Sequence, residues 1–360
     1  MYIEKIKLIN FRNYIEQEIE LNKRINIFYG DNAQGKTNIL EAIYMCSIGK
    51  SFRTKREKEI INFNKENLMV EINYIKKEIN NNKIKLEINN NKKIFYLNKI
   101  KIKKLSEILG NINIVIFNPD DINILKGPAR NRRKFLDIMI SQLKIKYIYN
   151  LTQYLKILEQ RNNYLRQIKY ENKELNIIEI WNEQLAEHAE IIFNFRKEFI
   201  NKINNKINNI HNKITENKEN IILEYISNFE NKNNYLVNLK NNINEDIKKG
   251  YTTVGIHRDD FNLFINNKKI DIYGSQGQHR SAILSLKITE AEIIYEEIEE
   301  YPIILLDDFM SELDNKRKNN FLENIKNNQI IITCTDKIEK DNSKVFNVKE
   351  GKVLEEQWKE

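Results

Sequence analysis

An α/β domain interrupted by a mostly helical insertion is what the sequence predicts, on three observations. Apolar and polar residues alternate through much of the first hundred positions. Helical spacing takes over between about residues 131 and 220. Strand-like runs return after Gly250, so the two ends of the chain are expected to build one domain around the insertion. The expected boundaries are 1–130 and 251–360 for the two parts of that domain and 131–250 for the helical subdomain.

Residues 2–9 alternate as a half-buried strand does (Ile3, Lys5, Ile6, Lys7, Leu8), and 25–29 form a short apolar strand. Past Gly35, the residues Ile39, Leu40 and Ile43 recur at the spacing of a helix face. Val70, Ile72 and Tyr74, then Leu86 and Ile88, then Ile94 and Tyr96 alternate again, with Asn-rich breaks that suit antiparallel hairpins. Phe135, Ile138, Met139 and Gln142 open the helical segment; Leu151, Tyr154, Leu155 and Leu158, then Trp181, Leu185 and Ala189, continue it. Ile203, Ile207, Ile210 and Ile214 have near-heptad spacing. We read them as part of an ordinary helical subdomain, because an insertion this short cannot form a long coiled-coil arm. Residues 261–265, 303–306 and 330–333 are the returning strands.

With 360 residues, 41% of them hydrophobic, the chain can bury a core without disulfides or metal. Its net charge of +8 suits a polyanionic partner such as nucleic acid or a membrane surface, although Lys, Asn and Ile crowd the whole chain and dilute that signal. Cys46 and Cys334 lie far apart in no metal-ligand spacing and read as reduced core thiols. His188, His211, His257 and His279 are scattered, which argues against a zinc site. No apolar run approaches the ~20 residues of a membrane span, and the N-terminus meets polar residues too soon for a signal peptide. A cytoplasmic protein without membrane association is expected.

Glycine and proline are scarce, at ten and three, so each is informative. Gly30-Asp31-Asn32-Ala33-Gln34-Gly35-Lys36-Thr37 fits the P-loop pattern between an expected strand and an expected helix. Such a loop aims backbone N–H groups at phosphate oxygens, and the following helix adds its positive end. Lys36 would reach the β- and γ-phosphates, facing ligand rather than packing, and the Thr37 hydroxyl would ligate Mg²⁺. The bland alternative, a glycine-containing turn without ligand, is much the weaker one. Residues 303–306 run into Asp307 and Asp308, an apolar strand ending in two acids. Alone that is a common, solvated strand end; beside a P-loop it is the expected second half of the site, with Asp307 serving Mg²⁺ and Asp308 the attacking water. Ser275-Gln276-Gly277-Gln278 opens another expected helix. One nucleotide needs only one cradle per chain, so this one is expected to serve ATP held by a second copy.

These motifs, with Ser311-Glu312-Leu313-Asp314 after the acids, resemble the ATP-binding-cassette (ABC) head in its SMC-like branch, and more closely the RecF family. The resemblance covers nearly the whole chain. It rests further on Asn10-Phe11-Arg12-Asn13-Tyr14, Phe117-Asn118-Pro119-Asp120-Asp121, Arg132-Arg133-Lys134-Phe135-Leu136-Asp137, Gln160-Arg161-Asn162 and Gly255-Ile256-His257-Arg258-Asp259-Asp260. Ile256 stands where the family usually has proline, and His279 where it usually has glutamine. The resemblance implies an ABC-type P-loop ATPase head that binds ATP and Mg²⁺, forms an ATP-dependent homodimer on DNA, hydrolyses ATP weakly and works with the RecO and RecR mediators in loading recombinase at gaps. It also implies that Ser275 to Gln278 contact the γ-phosphate held by the partner copy and that Asp314 lies at the dimer seam. Arg12 is a candidate phosphate contact, with a salt bridge nearly as good a reading. Lys55 and Arg56, or the Arg130 to Lys134 cluster with Arg132 and Arg133, are candidate DNA contacts without base specificity, weighed against a plain solvated basic face.

Two other classes fit less well. A transporter nucleotide-binding subunit would carry a serine-glycine-glycine signature, a catalytic glutamate and a switch histidine, where this chain has Ser275 to Gln278, Asp308 and Thr333-Cys334-Thr335-Asp336. A scaffold using ATP only to dimerise would not need the Asp307–Asp308 pair.

Overall fold

A computed structural model gives the fold, describing residues 1–77, 79–90, 92–171, 174–175, 177–309, 321–337 and 342–356. In chain order its elements begin with β1 (Tyr2–Phe11), β2 (Tyr14–Glu20), β3 (Ile25–Tyr29), α1 (Lys36–Ile48), β4 (Asn67–Lys76), β5 (Ile79–Asn89), β6 (Lys92–Leu97), β7 (Ile100–Lys101) and β8 (Ile114–Phe117). The middle holds α2 (Ile122–Lys126), α3 (Ala129–Leu143), α4 (Ile145–Glu171), α5 (Ile178–Thr215), β9 (Ile221–Ile226), α6 (Lys232–Asn241) and α7 (Ile243–Lys249). Then come β10 (Asp260–Ile265), β11 (Lys268–Lys269), α8 (Ile270–Tyr273), α9 (Gln276–Ile298), β12 (Ile303–Asp307), β13 (Ile330–Cys334), β14 (Ser343–Lys349) and β15 (Lys352–Glu356). They form two compact units: residues 1–121 with 284–360, and residues 122–283.

The first unit holds two sheets. One runs β15-β14-β3-β13-β12-β8, parallel except for β15; the other is the antiparallel meander β2-β1-β4-β5-β6-β7. The strands β8, β12 and β13 are buried along their whole length, as strands covered on both faces are, and read as near-continuous apolar runs. Helix α1 touches β1, β4 and β5 of the meander and β12 and β13 of the parallel sheet. That explains why eleven of its thirteen residues are buried, rather than one apolar stripe. Cys46 and Cys334 are both buried thiols, and burial pushes the Cys334 thiol up to about 11.

In the second unit α5, 38 residues long, packs against α3, α4, α6 and β9, so the near-heptad isoleucines line a core rather than an arm. Strand β10 pairs antiparallel with β9 over Asp260↔Ile226 to Ile265↔Ile221. This pairing draws residues 251–283 into the helical unit, and the other expected boundary, at 130, falls inside α3. Two arginines are fully buried here. Arg161 donates from Nε to Asn182 Oδ1 (2.8 Å) and from Nη1 to Asp246 Oδ2 (2.8 Å) and Thr252 Oγ1 (2.7 Å). Arg196 pairs with Asp137 and Asp259 at 2.9 Å each and donates to the Ile256 carbonyl at 2.7 Å. Removing one partner of such a pair strands a buried charge and costs about 3–5 kcal/mol. The sequence strings around Arg161, Asp137 and Asp259 are therefore joints of this unit.

Candidate nucleotide-binding site

The P-loop joins β3 to α1. Gly30 and Gly35 take φ of +149° and +115°, and Ala33 between them is also left-handed at +66°. A Cβ on Gly30 would stand 2.4 Å from the Val348 carbonyl oxygen, and one on Gly35 would stand 2.5 Å from the Asn13 amide. Both positions therefore need glycine for conformation and for room. Helix α1 starts directly after Gly35 with no side-chain cap and no acid in its first turn, which leaves its N–H groups and positive end for an anion. Lys36 is only 4% exposed, contrary to the expectation that it faces ligand without packing. Its ammonium folds back onto the loop and donates to the Gly30 and Asp31 carbonyls at 2.5 and 2.8 Å.

Asp307 ends β12 and lies 8% exposed. The Thr37 hydroxyl donates to its Oδ1 at 2.7 Å, across 270 residues of sequence. Thr333 on the neighbouring strand β13 donates to the same oxygen at 2.9 Å and accepts from the Asp308 N–H at 3.1 Å. Burial raises the Asp307 carboxyl above its ordinary value, with the Thr37 and Thr333 hydroxyls opposing that shift. Asp308 is half-buried and left-handed at φ +49°, which turns the chain sharply out of the strand.

Several residues bracket this site in ways their own sequence neighbourhood does not announce. Asn13 Nδ2 donates to the Gln34 carbonyl at 2.7 Å and Tyr14 donates to the Gly35 carbonyl at 3.0 Å, so the segment 10–14 braces the P-loop from below. Gln34 Oε1 accepts from the Glu350 N–H in the β14–β15 turn at 2.6 Å. Thr333 reads from the sequence as the end of an expected strand and as part of a string that lacks a switch histidine. A hydroxyl in a buried apolar strand was the signal available.

Arg12 does not stand free beside the loop. Its guanidinium grips the fully buried Glu41 of α1 at 2.7 and 2.9 Å and also donates to the Glu59 carbonyl. Arg132 and Arg133, named as candidate DNA contacts, are turned inward. Arg132 grips Asp260, with Nη2 to Oδ2 at 2.9 Å, and Arg133 donates to the Asp259 carbonyl at 2.6 Å. The unit's interior carboxylates and carbonyls claim both side chains. Lys55 and Arg56 remain exposed, Arg56 with a 3.5 Å pair to Glu59.

In the second unit, Ser275 and Gln278 form a reciprocal capping box at the start of α9. Ser275 Oγ accepts from the Gln278 N–H at 3.2 Å, and Gln278 Oε1 accepts from the Ser275 N–H at 2.9 Å. Ser275 and Gln276 are exposed, while Gly277 is partly covered. His279 lies buried behind them, donating from Nε2 to the Ile270 carbonyl at 2.9 Å. Asp314 lies outside the described residues. No described helix is long and apolar enough to cross a membrane.

No family model matches the chain. Curated relatives do. The DNA replication and repair protein RecF of Clostridium tetani (strain Massachusetts / E88) is 45% identical over 99% of this chain and 100% of its own length. That of Clostridium kluyveri is 46% identical over 98% and 99%. Among solved structures, the recombination mediator protein RecF in the RecFOR pathway superimposes in its ATP form with a TM-score of 0.93 at 36% identity, over 99% of this chain and 98% of that one. Its ATPrS form gives 0.91 at 38%, over 98% of both. An Smc head bound to the C-winged helix domain of ScpA, at 17% identity and a TM-score of 0.59, shares the fold alone. The fold is that of an ABC-type ATPase head, and near-complete coverage at about 45% identity makes this chain a member of the RecF family of DNA replication and repair proteins.

Proposed function

We propose that the chain is an ATP-driven switch of recombinational repair that closes as a homodimer on DNA and opens by slow hydrolysis. The observation that carries this reading is the Thr37–Asp307 contact at 2.7 Å, which joins the P-loop helix to the acidic strand end. Both groups are hard oxygen donors of the kind Mg²⁺ takes, so these two would hold the ion. Bound there, Mg²⁺ neutralises charge on the phosphate oxygens. Lys36 and the N–H groups of residues 30–37 orient the phosphates, and Asp308 orients the attacking water. The exposed Ser275 and Gln276, with Gly277 and Gln278, cap the γ-phosphate of a second copy, and Asp314 lies at that seam. The DNA contact is to backbone and not to bases, through exposed cations such as Lys55 and Arg56. Its affinity falls with salt at a log–log slope of about −0.9 per phosphate neutralised. RecR and RecO are the expected partners in loading recombinase at gaps, and the cytoplasm is the expected compartment.

ATP turnover measured with and without duplex DNA tests this. A weak rate that duplex raises is expected. Absence of turnover under both conditions would leave a scaffold that uses ATP only to dimerise, and a rate indifferent to DNA would remove the coupling.

A further inference from the structure

The antiparallel meander of the first unit ends in the hairpin β6–β7, and residues 92–104 carry six lysines and no carboxylate. Lysines on an edge strand commonly guard against pairing with another sheet, which accounts for Lys99 and Lys101. It does not account for the other side of the hairpin. There a cleft of about 230 Å³ opens between the hairpin and the chain that leaves α1 at Gly49. Lys50, Lys93, Lys103 and Lys104 line it, over a floor of Phe95, Ile102 and Leu105. Lys93 has a carboxylate at 3.1 Å, Glu57, whereas Lys50, Lys103 and Lys104 make no ion pair among the described residues. The three lysines without a carboxylate around one apolar hollow repel one another, and an anionic occupant relieves that repulsion.

The shape decides what kind of anion. A duplex is a broad convex rod that cannot enter a hollow of this volume. A single strand would seek an exposed aromatic face for its bases, but Phe95 is 6% exposed and the rest of the floor is aliphatic, with Leu105 37% exposed. A peptide meets both features at once, with an apolar side chain on the floor and carboxylates on the lysines. We infer that this cleft docks an acidic segment of a partner protein, anchored by an apolar side chain. The inference is independent of the nucleotide site, since no lining residue belongs to it.

The test is fluorescence anisotropy with a labelled peptide carrying an aspartate run and a terminal leucine–phenylalanine pair. The comparators are the same peptide with serines at the two apolar positions and a labelled duplex at the same salt. The full chain should bind the apolar peptide. The exposed double variant Lys103→Glu with Lys104→Glu should weaken that binding about tenfold or more, while keeping its ATP affinity and thermal melt. The serine peptide should lose affinity to a similar degree. The inference is overturned if the wild-type chain ignores the apolar peptide, if the double variant binds it equally well, or if the serine peptide binds as tightly. A loss of duplex affinity equal to the loss for the peptide would also overturn it, by making the cleft a phosphate surface.

Discussion

Thr333→Val keeps the volume of a fully buried side chain and deletes one hydroxyl. That hydroxyl lies 2.9 Å from Asp307 Oδ1 and 3.1 Å from the Asp308 nitrogen. Without it the Asp308 N–H loses this acceptor, and Asp307 loses one of the two hydroxyls that offset its burial. A stranded donor costs about 1–3 kcal/mol when fully buried and less here, where the Asp308 N–H is part-buried, and a lost bond to a carboxylate costs about 1.5–3 kcal/mol. The two losses share one site, so we expect roughly 2–4 kcal/mol in all by urea denaturation. Catalysis should suffer through position. Asp308 holds a left-handed backbone that this hydrogen bond helps to fix, and a shift of about 1 Å can slow chemistry some 10²-fold. ATP affinity by calorimetry should stay within about threefold, because Lys36 and the P-loop are untouched. Thr333→Ser restores the hydroxyl and should recover most of both losses. If the serine variant is as slow as the valine one, methyl packing and not the hydrogen bond governs the site. Wild-type turnover in Thr333→Val refutes the reasoning outright.

Asp308→Asn keeps size and removes charge, so it should bind ATP and dimerise yet turn over about 10²-fold more slowly; chasing preformed dimers with ADP should show them living longer, and a wild-type rate would place the base elsewhere. Ser275→Arg should bind ATP as a monomer and fail to dimerise in light scattering, because a bulky cation at an exposed helix cap would block a shared nucleotide; normal ATP-dependent dimers would give the cap another task. Burial holds the His257 imidazole down at about 4 from its ordinary 6.5, with the Thr252 carbonyl opposing. The folded chain thus takes up that proton less readily than the unfolded one. The stabilisation is complete above about pH 6.5 and is lost as pH falls toward 4, by up to about 3 kcal/mol. His257→Gln should flatten that part of the pH–stability curve in urea melts, and an unchanged slope would show that other groups set it.

The P-loop and the acidic strand end were legible because their chemistry is local. Gly30, Gly35, Lys36 and Thr37 must stand at that spacing for one turn to cradle phosphate, and 303–306 must be apolar for a strand covered on both faces. The helical middle was legible for the same reason, since the periodicity of Ile203, Ile207, Ile210 and Ile214 reflects a buried face of one helix. Partners brought from far along the chain were not. Arg132 on an amphipathic helix reads as a solvated cation until β10 brings Asp260 to it across 128 residues. Thr333 reads as one more strand residue until β13 lies beside β12 and sets its hydroxyl against Asp307. Residues 251–283 read as the returning head until β10 pairs with β9. A local pattern specifies which face of an element is apolar and which turn it can make. Which polar group meets which depends on strand order and sheet packing, and those arise only when the whole chain has buried its apolar surface.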